Sequence, residues 1–316
     1  EVLGFVPEGR GEHQWLAVRK RGENTAWVAK QLSRLAGCAE RDVGYSGLKD
    51  RHALTTQWFS LPAPRGAVSW VELGRKADAE IVVITRHGRK LRRGTHRGNR
   101  FLLTVRGLDG DLSGLNARLG RIAQVGVPNW FAEQRFGHDG GNLDAVRAWF
   151  AGGKAPQRGQ QGMLLSSARS ELFNAILARR IDDGTWLQPL QGEPLMLEGR
   201  HSFFIAQEDD DALAGRLASG DVHTSAALWG KEGTQAQGAC AELEQAVITA
   251  DASQNKGLAE GLVREGLEAA RRPLRVIPRQ MHWQIDAAKR VLRVGFELPA
   301  GSYATAVMRE IVLNDE

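Results

Sequence analysis

The spacing of apolar residues predicts strands towards both ends of the chain and helices through its middle. Short runs rich in β-branched, aromatic or alternating apolar residues predict strands over 13–19, 43–45, 55–61, 81–85, 101–105, 274–277, 282–285 and 291–298. Helical spacing predicts helices over 25–37, 112–125 and 258–272, further helices across most of 140–270, and a last helix after residue 305. In the first helix, Val28, Leu32 and Leu35 recur as a core-facing stripe, and Thr25 is expected to cap it.

The composition is that of a globular protein with enough residues for two domains. The chain has 316 residues, of which 42% are hydrophobic and 25% charged. No apolar run approaches the roughly 18 residues that a membrane-spanning helix needs, and no basic-then-apolar leader opens the chain. Cys38 and Cys240 form no CxxC pair, so we expect both to be reduced. Together these features predict a cytoplasmic protein without a membrane partner.

A polar turn over residues 47–58, between two predicted strands, has the composition of a reactive loop. It places the carboxylate of Asp50 beside Lys49, Arg51 and His52, which are or can become cationic. Nearby cations keep a carboxylate ionised, and an ionised carboxylate is a ready nucleophile or base. From spacing alone, a solvated surface loop is nevertheless the better interpretation, because most surface ion pairs contribute little.

The order of residues in this turn carries a resemblance to a known family. The pattern Gly-x-Lys-Asp-Arg-x-Ala-x-Thr-x-Gln resembles the catalytic-loop signature of the TruD family of tRNA pseudouridine synthases. The resemblance implies that Asp50 is the essential catalytic residue and that Lys49, Arg51 and His52 bind the substrate. It leaves open whether Arg51 or Arg309 orients Asp50. The family's preceding strand motif, with a lysine and a phenylalanine, is not part of this sequence.

The segment 86–100 is strongly basic and has no nearby counter-charge. It contains seven Lys or Arg residues in fifteen positions, and no acidic residue lies between Glu80 and Asp109. Such like charges repel one another, so we favour a nucleic-acid contact over a solvated face. The net charge of +5 agrees with a polyanionic partner. The candidate RNA contacts in this segment are Arg89, Lys90, Arg92, Arg93 and Arg97.

Residues 98–101 read Gly-Asn-Arg-Phe and resemble the family's second motif, Gly-Asn-x-Phe. The resemblance implies that Phe101 stacks on the target base and that Asn99 holds either the catalytic loop or the base. From the pattern alone, Phe101 is also an acceptable core residue of the predicted strand. Both interpretations of Phe101 stay open at the level of sequence.

Two further stretches resemble family motifs. Residues 127–137 read Val-Pro-Asn-Trp-Phe-Ala-Glu-Gln-Arg-Phe-Gly, close to a family stretch that begins an inserted domain. Arg135 and Phe136 are the candidate RNA contacts there, with a domain hinge as the alternative. Residues 298–305 read Leu-Pro-Ala-Gly-Ser-Tyr-Ala-Thr and resemble the C-terminal family motif. The four motifs occur in family order, so the resemblance covers nearly the whole chain.

The expected fold is α+β, with a pseudouridine synthase-like mixed or antiparallel sheet, flanking helices and a mainly helical insert. Residues 1–125 and 273–316 are expected to form a discontinuous catalytic domain, and residues 126–272 the inserted domain. The eight histidines form no metal-ligand motif. The acidic run at 208–211 is expected to be a solvated turn, since consecutive carboxylates cannot all face one ion.

The resemblance implies an isomerase that converts uridine to pseudouridine in tRNA, at position 13 of the D arm, without cofactor or metal. Asp50 would act as a nucleophile or as a base in a glycal route, and both routes stay open. We expect a monomer whose partner is tRNA. Two alternatives are a non-catalytic RNA-binding protein and a metal-independent ribonuclease that uses His52 and Lys49 as acid and base.

Overall fold

The computed structural model describes residues 1–206, 211–250 and 254–312. Most of the expected acidic turn at 208–211 lies outside the described residues. The chain forms two compact units, of which unit 1 comprises 1–101 with 299–301 and unit 2 comprises 102–298 with 302–316. This division reflects which residues pack together and does not assign a function to either unit. The expected assignment of 1–125 and 273–316 to catalysis and of 126–272 to an insert stays a prediction.

Unit 1 is built on a four-stranded antiparallel sheet in the order β2-β3-β1-β4. Its strands are β1 (His13–Lys20), β2 (Gly44–Tyr45), β3 (Thr55–Pro62) and β4 (Ala79–His87). Its helices are α1 (Thr25–Ala36) and α2 (Glu72–Lys76). Because β1 lies between two strands and is covered on both faces, four consecutive residues from Trp15 to Val18 are buried.

The stripe predicted for α1 packs on one face of this sheet. Val28 and Leu32 are fully buried against Leu16 and Phe59, and Leu35 is partly buried beside them. The helix ends at Gly37, whose φ of 66° is a left-handed conformation that favours glycine. The capping prediction was wrong, because Asn24 precedes the first helical residue and the Thr25 hydroxyl donates to Gln57 instead.

Unit 2 combines a helical core with several short sheets. Its strands are β5 (Gly98–Arg106, which begins in unit 1), β6 (Val127–Pro128), β7 (Pro194–Leu197), β8 (Phe203–Ile205), β9 (Val222–His223), β10 (Ser225–Leu228), β11 (Ala270–Pro273), β12 (Arg275–Val276), β13 (Arg279–Asp286) and β14 (Val291–Pro299). Its helices are α3 (Leu115–Val125), α4 (Gly141–Phe150), α5 (Arg158–Asp182), α6 (Leu213–Ser219), α7 (Gly238–Thr249), α8 (Asn255–Arg264) and α9 (Ala304–Ile311).

The antiparallel sheets and helices confirm the expected α+β class. In unit 2, the strands are ordered β13-β14-β5 and β8-β7-β9, with two-stranded pairs β10-β11 and β12-β6. The long helix α5 forms the centre of the core, where Leu172 and Ile176 are fully buried. Within the described residues, no helix is both long and apolar enough to span a bilayer.

The expectation of helix throughout 258–272 was wrong in its second half. Helix α8 ends at Arg264, and β11 pairs antiparallel with β10. The Arg271 guanidinium on β11 forms a buried ion pair with Glu244 at 2.9 Å. Both Glu244 and β10 are remote from β11 in sequence, so the local spacing of apolar residues does not reveal these contacts. The strands β7 to β10 lie in a region that was expected to be mostly helical.

Candidate active site

Asp50 lies in the loop that joins β2 to β3. These two strands pair antiparallel, with Gly44 opposite Ser60 and Tyr45 opposite Phe59. The connecting residues 46–54, named here the Asp50 loop, therefore join the end of β2 to the start of the neighbouring strand β3. Asp50 is exposed, and its Oδ1 accepts a hydrogen bond of 2.9 Å from the His52 backbone N–H. This short local bond fixes the backbone next to the carboxylate.

A buried lysine, which the sequence analysis missed, donates a hydrogen bond to the backbone of Asp50. Lys20, the last residue of β1, is fully buried. Its Nζ donates to the carbonyl oxygens of Glu23 at 2.7 Å and Asp50 at 3.2 Å. Burial lowers the pKa of Lys20, and the nearby charges of Asp50 and Glu23 oppose that shift. The sequence contained one sign of this burial. Lys20 follows Leu16 and Val18 at intervals of two residues, so it lies on the same face of β1 as these two apolar residues.

The expected cations next to Asp50 have other partners. The Lys49 ammonium forms an ion pair with Glu1 at 3.0 Å, and its side chain is only 12% exposed. The Arg51 guanidinium donates to the carbonyl oxygen of Gly22 at 2.9 Å. The His52 residue is exposed beside Asp50. The structure therefore brings the backbone of all four residues together but directs the side chains of Lys49 and Arg51 elsewhere.

The second group missed in the sequence is the carboxylate of Glu1, which is fully buried. Its Oε1 accepts from the Ser46 hydroxyl at 2.9 Å, and its Oε2 accepts from the Trp58 backbone N–H at 2.8 Å. His96 lies 2.5 Å from the same hydroxyl. Burial and the Lys49 charge lower the pKa of His96, which favours its neutral form.

Asn99 and Phe101 lie at the start of β5, where that strand still belongs to unit 1. Both residues are half-buried. The Asn99 Oδ1 is buried, and no group among the described residues donates a hydrogen bond to it. A buried acceptor without a donor is unusual in a folded protein. Phe101 is not fully buried, unlike Phe59 in the same unit.

The basic segment between β4 and β5 is anchored at two points and exposes its arginines. Buried Leu91 donates its backbone N–H to Ser60 at 2.8 Å, and the Trp15 indole donates to the carbonyl oxygen of Arg89 at 3.0 Å. The side chain of Lys90 donates to a backbone carbonyl of residue 41 at 2.6 Å. The residues exposed to solvent are Arg89, Arg92, Arg93 and Arg97.

The candidate residues of the 127–137 stretch lie in unit 2. Arg135 is half-buried, lies over the ring of Phe131 at 5.4 Å and donates to Ser166 at 3.1 Å. Phe136 is half-buried against the core of unit 2. Arg309 lies over the ring of Trp130 at 5.9 Å. These contacts account for packing within unit 2, so the expected roles of Arg135 and Phe136 in RNA binding stay predictions.

No metal site is evident in the part of the chain that the structure describes, since no group of three or more His, Cys, Asp or Glu residues is arranged to hold an ion. The candidate site consists of an exposed carboxylate on a hydrogen-bonded loop, with the ring of Phe101 and the amide of Asn99 at the start of β5 in the same unit. This set agrees with the motifs that resemble the TruD family.

Comparison with known proteins gives the family. The sequence model of TruD, described as tRNA pseudouridine synthase D, matches residues 1–153 and 154–311. A tRNA pseudouridine synthase D from Nitrosococcus oceani is 45% identical over 318 residues, covering 100% of this chain and 88% of the relative. One from Aeromonas salmonicida is 46% identical over 316 residues, with the same coverage of 100% and 88%. The chain belongs to the TruD family.

A solved structure agrees with the fold. A Methanosarcina mazei protein carrying the TruD name superposes with a TM-score of 0.74, at 22% identity, over 98% of this chain and 90% of that one. The resemblance read from the four motifs is thus confirmed at the level of family and fold. The roles of individual residues are not decided by these comparisons.

Proposed function

We propose that this chain converts uridine to pseudouridine in tRNA, at uridine 13 of the D arm, with Asp50 as the catalytic group. Membership of the TruD family supports the reaction class. The observation that carries the assignment of Asp50 is the exposed carboxylate on a loop whose backbone is hydrogen-bonded on both sides. A reactive group on a fixed loop combines accessibility with preorganisation.

The reaction is an intramolecular transfer, so no atom is gained or lost overall. The N1–C1′ bond breaks, the base rotates, and C5 forms a new bond to C1′, while the C5 proton leaves for solvent and N1 takes up a proton in its place. The Asp50 carboxylate either attacks C1′ as a nucleophile or removes a ribose proton in a glycal route. An exposed carboxylate suits both roles, and both remain within the proposal.

The target uridine has to leave its stack before a carboxylate can reach its sugar, at a cost of a few kcal/mol. Stacking on an aromatic ring returns about 1–3 kcal/mol. Half-buried Phe101 offers such a ring. Asn99, two residues earlier in the same strand, carries a side-chain amide whose N–H groups match the carbonyl oxygens of uracil. We therefore assign base stacking to Phe101 and base hydrogen bonding to Asn99.

The remaining parts of the proposal concern the partner. The exposed arginines of the basic segment would bind tRNA phosphates, and Arg135 and Phe136 would add contacts from unit 2. We further propose a cytoplasmic monomer that needs no cofactor. The ribonuclease alternative is disfavoured by the ion pair of Lys49 with buried Glu1, which removes the acid or base it requires.

The test replaces Asp50 with Asn and follows tritium release from C5-labelled uridine in a tRNA transcript. Asp50→Asn retains the shape but removes the charge and the nucleophile, so turnover should become undetectable while tRNA binding survives. A transcript with cytidine at position 13 tests the site and should release no tritium. Activity of the variant above about a tenth of wild type would exclude Asp50 as the catalytic group. RNA that becomes shorter would instead identify a nuclease.

A further inference from the structure

The first half of the Asp50 loop and the strand that follows the loop contact one buried carboxylate. Ser46 and Lys49, which precede Asp50, contact Glu1 Oε1 at 2.9 Å and 3.0 Å. Trp58, the fourth residue of β3, donates its backbone N–H to Glu1 Oε2 at 2.8 Å. Through the Glu1 carboxylate, the first half of the loop is therefore linked to β3. Hydrogen bonds to a charged acceptor are the stronger kind.

The leucines of the loop do not provide this link. Leu48 and Leu54, the two leucines of the loop, are 71% and 58% exposed. A loop whose own apolar side chains face solvent depends on polar contacts for its position. The fully buried Glu1 side chain and the largely buried Lys49 side chain supply such contacts away from competing water.

The residue after Glu1 reaches the other candidate motif. Val2 donates its backbone N–H to the carbonyl oxygen of Gly98 at 2.8 Å and accepts from the N–H of Arg97 at 2.8 Å. Asn99 and Phe101 follow directly in β5. Two adjacent residues thus connect the Asp50 loop to the strand that carries the proposed base contacts, within unit 1.

We propose that Glu1 is a positioning residue that sets the place of Asp50 relative to Asn99 and Phe101. The inference rests on the proposed function, in which Asp50 acts on a uridine held by those two residues. It also reassigns Lys49, whose ammonium serves as the counter-ion of Glu1 and holds the loop. A displacement of about 1 Å at the reacting groups lowers a rate by as much as a hundredfold.

The test compares five variants of the full chain, the fifth being the rescue variant Glu1→Asp, by single-turnover tritium release at saturating tRNA. Glu1→Gln preserves the shape and leaves the Lys49 ammonium without its counter-charge. Lys49→Met leaves Glu1 without its cation. The double variant Glu1→Gln/Lys49→Met removes both charges, so that no unpaired charge remains buried. Glu12→Gln is the matched control, since Glu12 belongs to the same N-terminal stretch and is exposed. Thermal melts and tRNA titrations accompany each assay.

For Glu1→Gln we expect the maximal rate to fall at least about tenfold per folded enzyme, with KM and tRNA affinity within about threefold of wild type. The double variant should be no slower than the slower single variant, because both changes act through one contact. Glu12→Gln should behave as wild type. Rescue by Glu1→Asp, which retains the charge one methylene shorter, should be partial.

A wild-type rate in folded Glu1→Gln overturns the inference, as does a loss of rate that follows the unfolded fraction alone. If Glu1→Gln does not fold, the double variant decides, and a wild-type rate there overturns the inference as well. Failure of the proposed function gives a different result, in which the wild-type enzyme releases no tritium or Asp50→Asn remains active.

Discussion

At the scale of single residues, the site depends on contrasts in burial between neighbours. Asp50 is exposed. Lys20, which donates to its backbone, is buried, and so is the side chain of Glu1, which pairs with the neighbouring Lys49. Buried polar groups are fixed by their hydrogen bonds, and exposed ones are available to a ligand. The motif residues are thus divided into exposed ones, which are available to a ligand, and buried ones, which hold the loop. Side-chain chemistry alone does not give this division.

Phe101 allows a test of this division. Replacing Phe101 with Ala should lower turnover strongly and cost less thermal stability than the loss of a fully buried ring, because Phe101 is only half-buried. Phe59→Ala is the matched control, since Phe59 is fully buried in unit 1. That control should lose about 3–5 kcal/mol of stability. A comparable loss in Phe101→Ala would return Phe101 to a structural role.

At the scale of elements, β1 organises unit 1. It pairs with β3 on one side and β4 on the other, so its last residue lies beside the start of β3, where the Asp50 loop ends. The connection from β4 to β5 forms the basic segment, which Leu91 and Trp15 attach to the sheet. Loop and segment are therefore both supported by one sheet.

The basic segment should determine the salt dependence of RNA binding. Replacing the exposed residues Arg89, Arg92 and Arg93 with Gln should weaken binding and flatten the log–log dependence of affinity on salt. Each lost phosphate contact reduces the slope by about 0.7–0.9. Filter-binding titrations over a range of salt measure the slope. The control replaces the exposed α1 residues Lys30 and Arg34 with Gln, and an equal effect there would leave only a non-specific charge contribution.

At the scale of the whole chain, largely buried ion pairs join remote segments in both units. Unit 1 has the Glu1–Lys49 pair beside its sheet core, and unit 2 has such pairs as well. Arg180 pairs with Glu193 at 3.0 Å, and Arg271 with Glu244 at 2.9 Å, all nearly inaccessible. Breaking such a pair is costly because it leaves a buried charge alone. These pairs therefore specify which segments of unit 2 pack together.

A further pair in unit 2 predicts a pH dependence of stability. Burial alone would raise the pKa of Glu198, but hydrogen bonds from His223 and Arg279 outweigh it and lower the pKa to about 2. The folded state therefore holds the charged form more strongly than the unfolded state, whose pKa is near 4.5. The stabilisation is present above pH 4.5 and is lost as pH falls towards 2.

Glu198→Gln should thus be less stable than wild type at pH 7, by on the order of 1–2 kcal/mol. The difference should shrink as the pH is lowered from 4.5 towards 2. Urea unfolding of both proteins at several pH values measures it. A difference that is constant with pH would mean that lost packing, and not the charge, is responsible.

The sequence by itself determined the elements with strong periodicity and the family. Helix α1 and strands β1, β3 and β14 follow from local spacing, because each has one buried stripe or a continuous apolar run. The four motifs identified TruD because they are contiguous strings that need no knowledge of the fold. The position of Asp50 in a loop also followed from local sequence, because a polar turn separates two predicted strands.

Only the tertiary structure decided which groups meet. Lys20 supports Asp50, and Lys49 turns to Glu1, because strand register and burial bring together residues that are 30 and 48 positions apart in the chain. Helical spacing failed for β11, where pairing with β10 and the buried Arg271–Glu244 pair outweigh local preference. Local patterns record which face of an element is apolar. They do not record which remote polar group will satisfy a buried charge, and here that choice determines how the candidate site is held.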